Sequence, residues 1–174
     1  MKKVPSPQSE IQTETHPEIQ TNTKTNFISD SLRILIASDH AGFPLKEIVI
    51  TELVKLGFKI VDLGCNSATE SVDYPDYAKK LCHELNTNAN DVGILICGSG
   101  VGISITANRY KNIRAALCHN VEIAKLSRMH NDANVICCGA RMITPEIALE
   151  TIHAFLVTDF EGGRHSRRVD KISS

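Results

Sequence analysis

Five short aliphatic runs, each followed by an amphipathic stretch, constrain this chain more than any other feature of its sequence. The most apolar is Val92–Cys97 (VGILIC), which leads directly into Gly98, Gly100 and Gly102 and then into a helical pattern. An unbroken apolar run of this length, ended by a glycine turn, reads as a central strand covered on both faces.

The same alternation recurs on either side of it. Arg33–Ser38 (RILIAS) predicts a first strand. Phe43–Leu56 predicts a helix, with Leu45, Ile48, Val49, Leu53 and Leu56 at helical spacing and Gly57 as its stop. Lys59–Leu63 predicts the second strand. Pro75 sits near the first turn of the next helix, whose buried stripe is Tyr77, Ala78, Leu81, Cys82 and Leu85. Beyond the central strand, a helix is expected over Val101–Arg109 and a strand over Arg114–Cys118. A helix over Val121–Met129 with Asn120 as N-cap and a strand over Asn134–Cys138 follow. Thr144-Pro145-Glu146 opens the last long helix, with Ile147, Ala148, Thr151, Ile152 and Phe155 inward. Five strand–helix units in series predict an α/β fold, a three-layer α/β/α sandwich around a five-stranded parallel, Rossmann-like sheet.

Composition divides the chain at residue 31. Residues 1–31 hold three of the six prolines and nine Ser or Thr, but no Gly, no Cys and only six apolar residues. A segment this polar cannot bury enough surface to offset the entropy of ordering, so a disordered extension is expected. Residues 32–174 form one domain of ordinary size, with 16 basic and 16 acidic side chains. The net charge of −1 gives no electrostatic footprint for nucleic acid. No run of 18 apolar residues predicts a membrane span, and Met1-Lys2-Lys3 is followed by Pro, Ser and Gln where a signal peptide needs an apolar stretch. A cytoplasmic location is therefore expected. The six cysteines then read as free thiols, and with no C-x-x-C pair they offer poor zinc geometry.

In open parallel sheets, ligands bind at the carboxyl ends of strands. Three groups fall there: Ser38-Asp39-His40, Cys97 with Gly98-Ser99-Gly100-Val101-Gly102, and Gly139-Ala140-Arg141. Alternating glycines between a strand and a helix let backbone N–H groups converge on an anion. The third glycine of a dinucleotide fingerprint is missing, since Ile103 or Ile105 stands there, and no Gly-Lys-Ser/Thr occurs. The loop thus suits an anion other than a nucleotide pyrophosphate. Cys97 immediately precedes it, where N–H groups and a helix N-terminus favour a thiolate. A thiolate beside such a cradle can remove a carbon-bound proton while the amides hold an enolate; it can equally act as a nucleophile. Asp39 and His40 are candidates for proton movement or substrate binding. His130-Asn131-Asp132, between the fourth helix and fifth strand, is also placed at a sheet edge. Arg141, Arg164 and Arg168 are candidate phosphate ligands, because guanidinium forks match phosphate oxygens. Gly162-Gly163 lets the basic C-terminal segment leave the domain body and reach another subunit.

Together these motifs resemble the ribose/galactose isomerase family, and within it the type B ribose-5-phosphate isomerases. The resemblance is carried by Ser38-Asp39-His40-Ala41-Gly42-Phe43, Asp73-Tyr74-Pro75, Ile96 through Ser104, His130-Asn131-Asp132-Ala133-Asn134 and Glu161-Gly162-Gly163-Arg164-His165. It spans about Leu32 to Val169. It implies interconversion of ribose 5-phosphate and ribulose 5-phosphate through a cis-enediolate, with no metal and no cofactor. By resemblance Cys97 is the proton-shuttling base and His130 the acid that helps open the furanose ring. Asp39 and His40 match substrate-binding positions. Gly98, Ser99, Gly100, Val101 and Gly102 match the enediolate cradle, and Asn131, Arg141, Arg164 and Arg168 match further substrate and phosphate contacts. Homodimers or homotetramers with sites built from two chains are implied. Two other readings stay open: the same chemistry on allose 6-phosphate or galactose 6-phosphate, and a non-catalytic phosphosugar-binding module.

Overall fold

The computed structural model of the chain describes residues 33–85 and 91–172. The expected disordered extension over residues 1–31 lies outside the described residues. Five parallel strands alternate with helices: β1 (Arg33–Ser38), α1 (Phe43–Lys55), β2 (Lys59–Asp62), α2 (Tyr74–Leu85), β3 (Val92–Cys97), α3 (Val101–Ala107), β4 (Ala115–Leu117), α4 (Val121–Asn131), β5 (Val135–Gly139) and α5 (Pro145–Val157). A 3₁₀ turn (Gly163–His165) and α6 (Ser166–Ile172) follow. The strand order is β2-β1-β3-β5-β4, with every pairing parallel.

The alternation of side chains along each strand builds two cores, as a doubly covered sheet requires. Ile34, Ile36, Ile94, Ile96, Ile136 and Cys138 face α1, α4 and α5. Leu35, Ala37, Leu95, Cys97, Val135 and Cys137 face α2 and α3. These are the three layers expected. Full burial of a side chain such as Ile94 or Phe155 contributes about 1.5–3 kcal/mol each.

The structure departs from the sequence pattern at several ends. β4 is shorter than Arg114–Cys118, α3 stops at Ala107, and β5 starts and ends one residue later than expected. The open side of β4 is matched by a side chain: Asn108 donates to the Ala115 carbonyl and accepts from its N–H, both at 2.9 Å. Ile48, Leu56 and Ile147, expected inside, are 39%, 48% and 41% exposed. The buried stripe of α1 is turned toward Lys46, which lies beside Leu45, Val49 and Leu53. Lys46 is fully buried; its ammonium meets Asp62 at 2.5 Å and lies 5.2 Å from the centre of the Phe43 ring.

This topology fixes where a ligand can sit. The chain order turns back between β1 and β3, so their helical connections leave on opposite sides and a crevice opens above their carboxyl ends. Asp39 follows β1 and Cys97 ends β3, one on each side of that crevice.

Candidate active site

Cys97 is 3% exposed and faces the core shared with α2 and α3. The next residues turn sharply into α3. Gly100, the N-cap, has φ 78°, in the left-handed region where a side chain is strained. A Cβ there would also lie 2.5 Å from Leu117 Cδ1, so close packing against β4 demands glycine too. The turn aims the Gly100 N–H at the Cys97 sulfur, 3.1 Å away. Ser99 Oγ accepts from the Val101 N–H at 3.3 Å, and Ser99 itself is exposed. Ala140 N–H and Arg141 N–H donate to the carbonyls of Cys97 and Gly98 at 2.9 and 3.0 Å, which locks the end of β5 onto the loop. The Arg141 guanidinium lies directly over Gly98: an added Cβ would be 3.3 Å from Nη1. A cation, the glycine-loop backbone and a thiol therefore lie together at the carboxyl end of β3.

The β1 end closes its other side. Asp39 N–H donates to the Ile96 carbonyl at 3.2 Å, and Asp39 Oδ1 accepts from Gly42 N–H at 2.9 Å. His40 Nδ1 lies against the Val72 backbone, 3.1 Å from its N–H and 3.2 Å from its carbonyl oxygen, which anchors the ring to the segment before α2. Two residues further on, Tyr74 packs over Gly102; an added Cβ would meet its ring at 2.5 Å. Tyr74 was only part of a motif in the sequence. Nothing in its spacing announced that it forms the wall facing the first turn of α3.

Cys97 differs from four of the other buried thiols. Burial pushes Cys82 and Cys138 up to about 12 and Cys118 up to about 11, and raises Cys137 well above its ordinary value. These four are held as inert thiols. Cys97 instead has an amide donor on its sulfur and the N-terminus of α3 beside it.

His130 is placed elsewhere. It lies on the last turn of α4, at the end where β5 begins, whereas Cys97 is paired with Gly139, where β5 finishes. At about 3.3 Å per residue, β5 alone separates the two by roughly 13 Å. Asn131 and the C-terminal arginines share the His130 end. Glu161 N–H donates to the Met129 carbonyl at 3.1 Å, and Gly162 and Gly163, with φ 65° and 54°, turn the chain back over α4. His165 thereby stacks on His130, with centroids 4.2 Å apart and ring planes within 2°. Glu161 Oε2 lies 3.8 Å from His130 Nε2 and 3.6 Å from His165 Nε2. Arg164 Nε donates to His165 Nε2 at 3.3 Å. α6, which carries Arg168, has no buried residue. One chain thus brings Cys97, Gly98–Gly102, Asp39, His40 and Arg141 together at the carboxyl edge. It holds His130, Asn131, Arg164 and Arg168 at the opposite edge.

Among the described residues, His130, Glu161 and His165 are the trio with metal-ligand chemistry, their ligand atoms lying within 4.8 Å of one another. The two stacked rings have parallel planes, so their in-plane lone pairs do not converge on one ion.

A family model described as ribose/galactose isomerase matches residues 34–172. The chain belongs to the ribose/galactose isomerase family. It is 43% identical to ribose-5-phosphate isomerase B of Escherichia coli over 142 residues, covering 82% of this chain and 95% of that protein. It is 50% identical to a ribose 5-phosphate isomerase of Thermotoga maritima, whose crystal structure superposes with a TM-score of 0.79 over 82% of this chain and 98% of that one. The Mycoplasma genitalium ribose-5-phosphate isomerase B, solved with bound ribulose 5-phosphate, is 44% identical with a TM-score of 0.80, over 82% and 95% of the two chains. The three-layer fold and the sugar-phosphate isomerase class read from the sequence are those of these relatives. Among the described residues, no helix is long and apolar enough to cross a membrane.

Proposed function

We propose that this member of the family interconverts D-ribose 5-phosphate and D-ribulose 5-phosphate, with Cys97 as the base. In the open-chain aldose, the Cys97 thiolate takes the C2 proton. The C–H electron pair forms the C1=C2 bond, and O1 becomes the oxyanion of a cis-enediolate. The thiol then returns the proton to C1 while the O2 proton passes to O1, so an aldehyde becomes a ketone with no redox partner. A positioned base supplies about 10²–10⁴-fold. Amides of the Gly98–Gly102 loop hold the developing oxyanion, usually the larger contribution. The phosphate does not react, so its binding energy holds the sugar in place. Asp39, His40, Ser99 and Val101 complete the carboxyl-edge wall.

The observation that carries this reading furthest is the amide–sulfur contact between Gly100 and Cys97 at the crevice between β1 and β3. It places this thiol, unlike Cys82, Cys118, Cys137 and Cys138, against the glycine-loop backbone at the crevice. Such a device serves proton transfer and has no purpose in a module that merely binds phosphosugar.

His130, the ring-opening acid, with Asn131, Arg164 and Arg168, serves the Cys97 of a second copy. Their position at the far edge of their own sheet supports a homodimer or homotetramer with sites shared between chains. Residues 1–31 are then an extension of an isomerase domain over 32–174, and a reducing cytoplasm keeps Cys97 usable.

The test is intersubunit complementation. Cys97→Ala and His130→Ala proteins are each assayed with ribose 5-phosphate, then unfolded together, refolded and assayed again. Mixed dimers regain one intact site, so activity should return to about a quarter of wild type. No recovery overturns the shared site. Near wild-type turnover of Cys97→Ala alone overturns the role of Cys97, and a higher kcat/KM for a hexose phosphate would reassign the substrate.

A further inference from the structure

We propose that His165 is a positioning residue for His130, acting through its ring face, and that Glu161 completes this support. The inference rests on the reading of His130 as the ring-opening acid.

His130 ends a helix, where a side chain has few neighbours to fix its second torsion, and its side chain is 35% exposed. An acid that must meet a ring oxygen on another subunit needs a defined plane. His165 supplies one. Its side chain is 8% exposed and lies flat under His130. The backbone holds it there: the His165 N–H donates to the Gly162 carbonyl at 2.9 Å, and the Glu161 N–H ties the same turn to α4. Two adjacent glycines with positive φ are what this reversal of the chain costs.

The charges agree with a floor rather than a second acid. Arg164 donates to His165 Nε2, so that nitrogen accepts and the ring is neutral. Burial, then His130, Arg164 and Arg168, hold His165 below its ordinary value. A neutral ring at 4.2 Å gives His130 a flat face to rest on. The Glu161 carboxylate faces both rings and closes the open edge of the stack.

The enediolate step and the ring-opening step can be read separately. Ribulose 5-phosphate cannot close a furanose ring, because the hydroxyl it would need carries the phosphate. Exchange of its C1 proton with deuterated water therefore reports Cys97 and the amide cradle alone. Conversion of ribose 5-phosphate, which is cyclic in solution, requires opening as well. His165→Ala should lower kcat for ribose 5-phosphate about tenfold with little change in KM, and raise the ratio of exchange to isomerisation by the same factor. His165→Phe, which keeps a flat face but no ring nitrogen, should restore most of the kcat. Glu161→Gln should fall between the two.

A rise in KM with kcat unchanged would make His165 a substrate contact and overturn the proposal. Equal loss of exchange and isomerisation in His165→Ala, or failure of Phe to rescue, would also overturn it. Absence of C1 exchange in the wild type would instead overturn the isomerase reading itself, so the two failures are distinguishable.

Discussion

The Gly100 amide donates to the Cys97 sulfur across 3.1 Å, from a residue that only glycine can occupy without strain. The left-handed φ of Gly100 and the position of Cys97 at the last step of β3 are therefore one device. Gly100→Ala should cost about 1–3 kcal/mol in backbone strain. Alanine keeps the amide, but its Cβ, 2.5 Å from Leu117 Cδ1, shifts that amide off the Cys97 sulfur, so kcat should also fall by about 10²-fold, as for the loss of one preorganised donor. Steady-state kinetics with ribose 5-phosphate and a urea titration read the two effects separately; an alanine variant with unchanged kcat would remove Gly100 from the cradle.

Selective alkylation should follow the same geometry. Cys82, Cys118 and Cys138, pushed up to about 12, 11 and 12, have negligible thiolate at pH 8. Iodoacetamide should therefore spare these three and inactivate the native enzyme in step with carboxamidomethylation of Cys97, not of Cys65, which lies outside the crevice, and ribose 5-phosphate should slow both. Peptide mapping checks this. Inactivation that tracks Cys118 or Cys138 instead would mean that the sheet opens under the conditions used.

The buried ion pair between Lys46 and Asp62 makes a stability prediction. Asp62 also accepts from the Gly64 N–H at 2.9 Å, so it anchors the turn after β2. Removing one member of a buried pair costs about 3–5 kcal/mol. Asp62 is 36% exposed and Glu47 is a second partner for Lys46 at 3.2 Å, so Asp62→Asn should cost about 2 kcal/mol, below that range. Lys46→Met, similar in length and uncharged, should lie closer to wild type, since apolar replacement of a buried charge is often neutral. Urea midpoints order the two variants, and the reverse order would show that the Lys46 charge itself is needed.

Much of this was legible in residue order. Unbroken aliphatic runs and period-3.6 stripes fix where strands and helices lie, and glycines after Cys97 mark the crevice, because local chemistry decides both. Lys46 was not legible: nothing local says that a lysine beside Leu45 turns inward to an aspartate sixteen residues away. The edges were not legible either. His130 is one turn from a strand in sequence, yet only the direction of α4 across the sheet shows that it stands at the end opposite Cys97. Glu161 and His165 lie within a motif, but their contact with His130 depends on two glycines reversing the chain in space.

Acid stability offers a last test of the His130 end. His165 lies below its ordinary 6.5 in the folded chain, first because of burial and then because of His130, Arg164 and Arg168, with Glu161 opposing. The unfolded chain therefore binds the proton first. Above about pH 6.5 both states are neutral and His165 costs nothing. As the pH falls through that value the unfolded state gains a proton that the folded state refuses, and stability is lost until the folded pKa is reached. His165→Phe has no such proton to bind. Its urea midpoint should fall less than that of the wild type between pH 7 and pH 5, while the two proteins respond alike between pH 7 and pH 8. Parallel declines in both proteins below pH 6.5 would show that His165 is protonated as readily in the folded chain as in the unfolded one, and that the stacked ring is not held neutral.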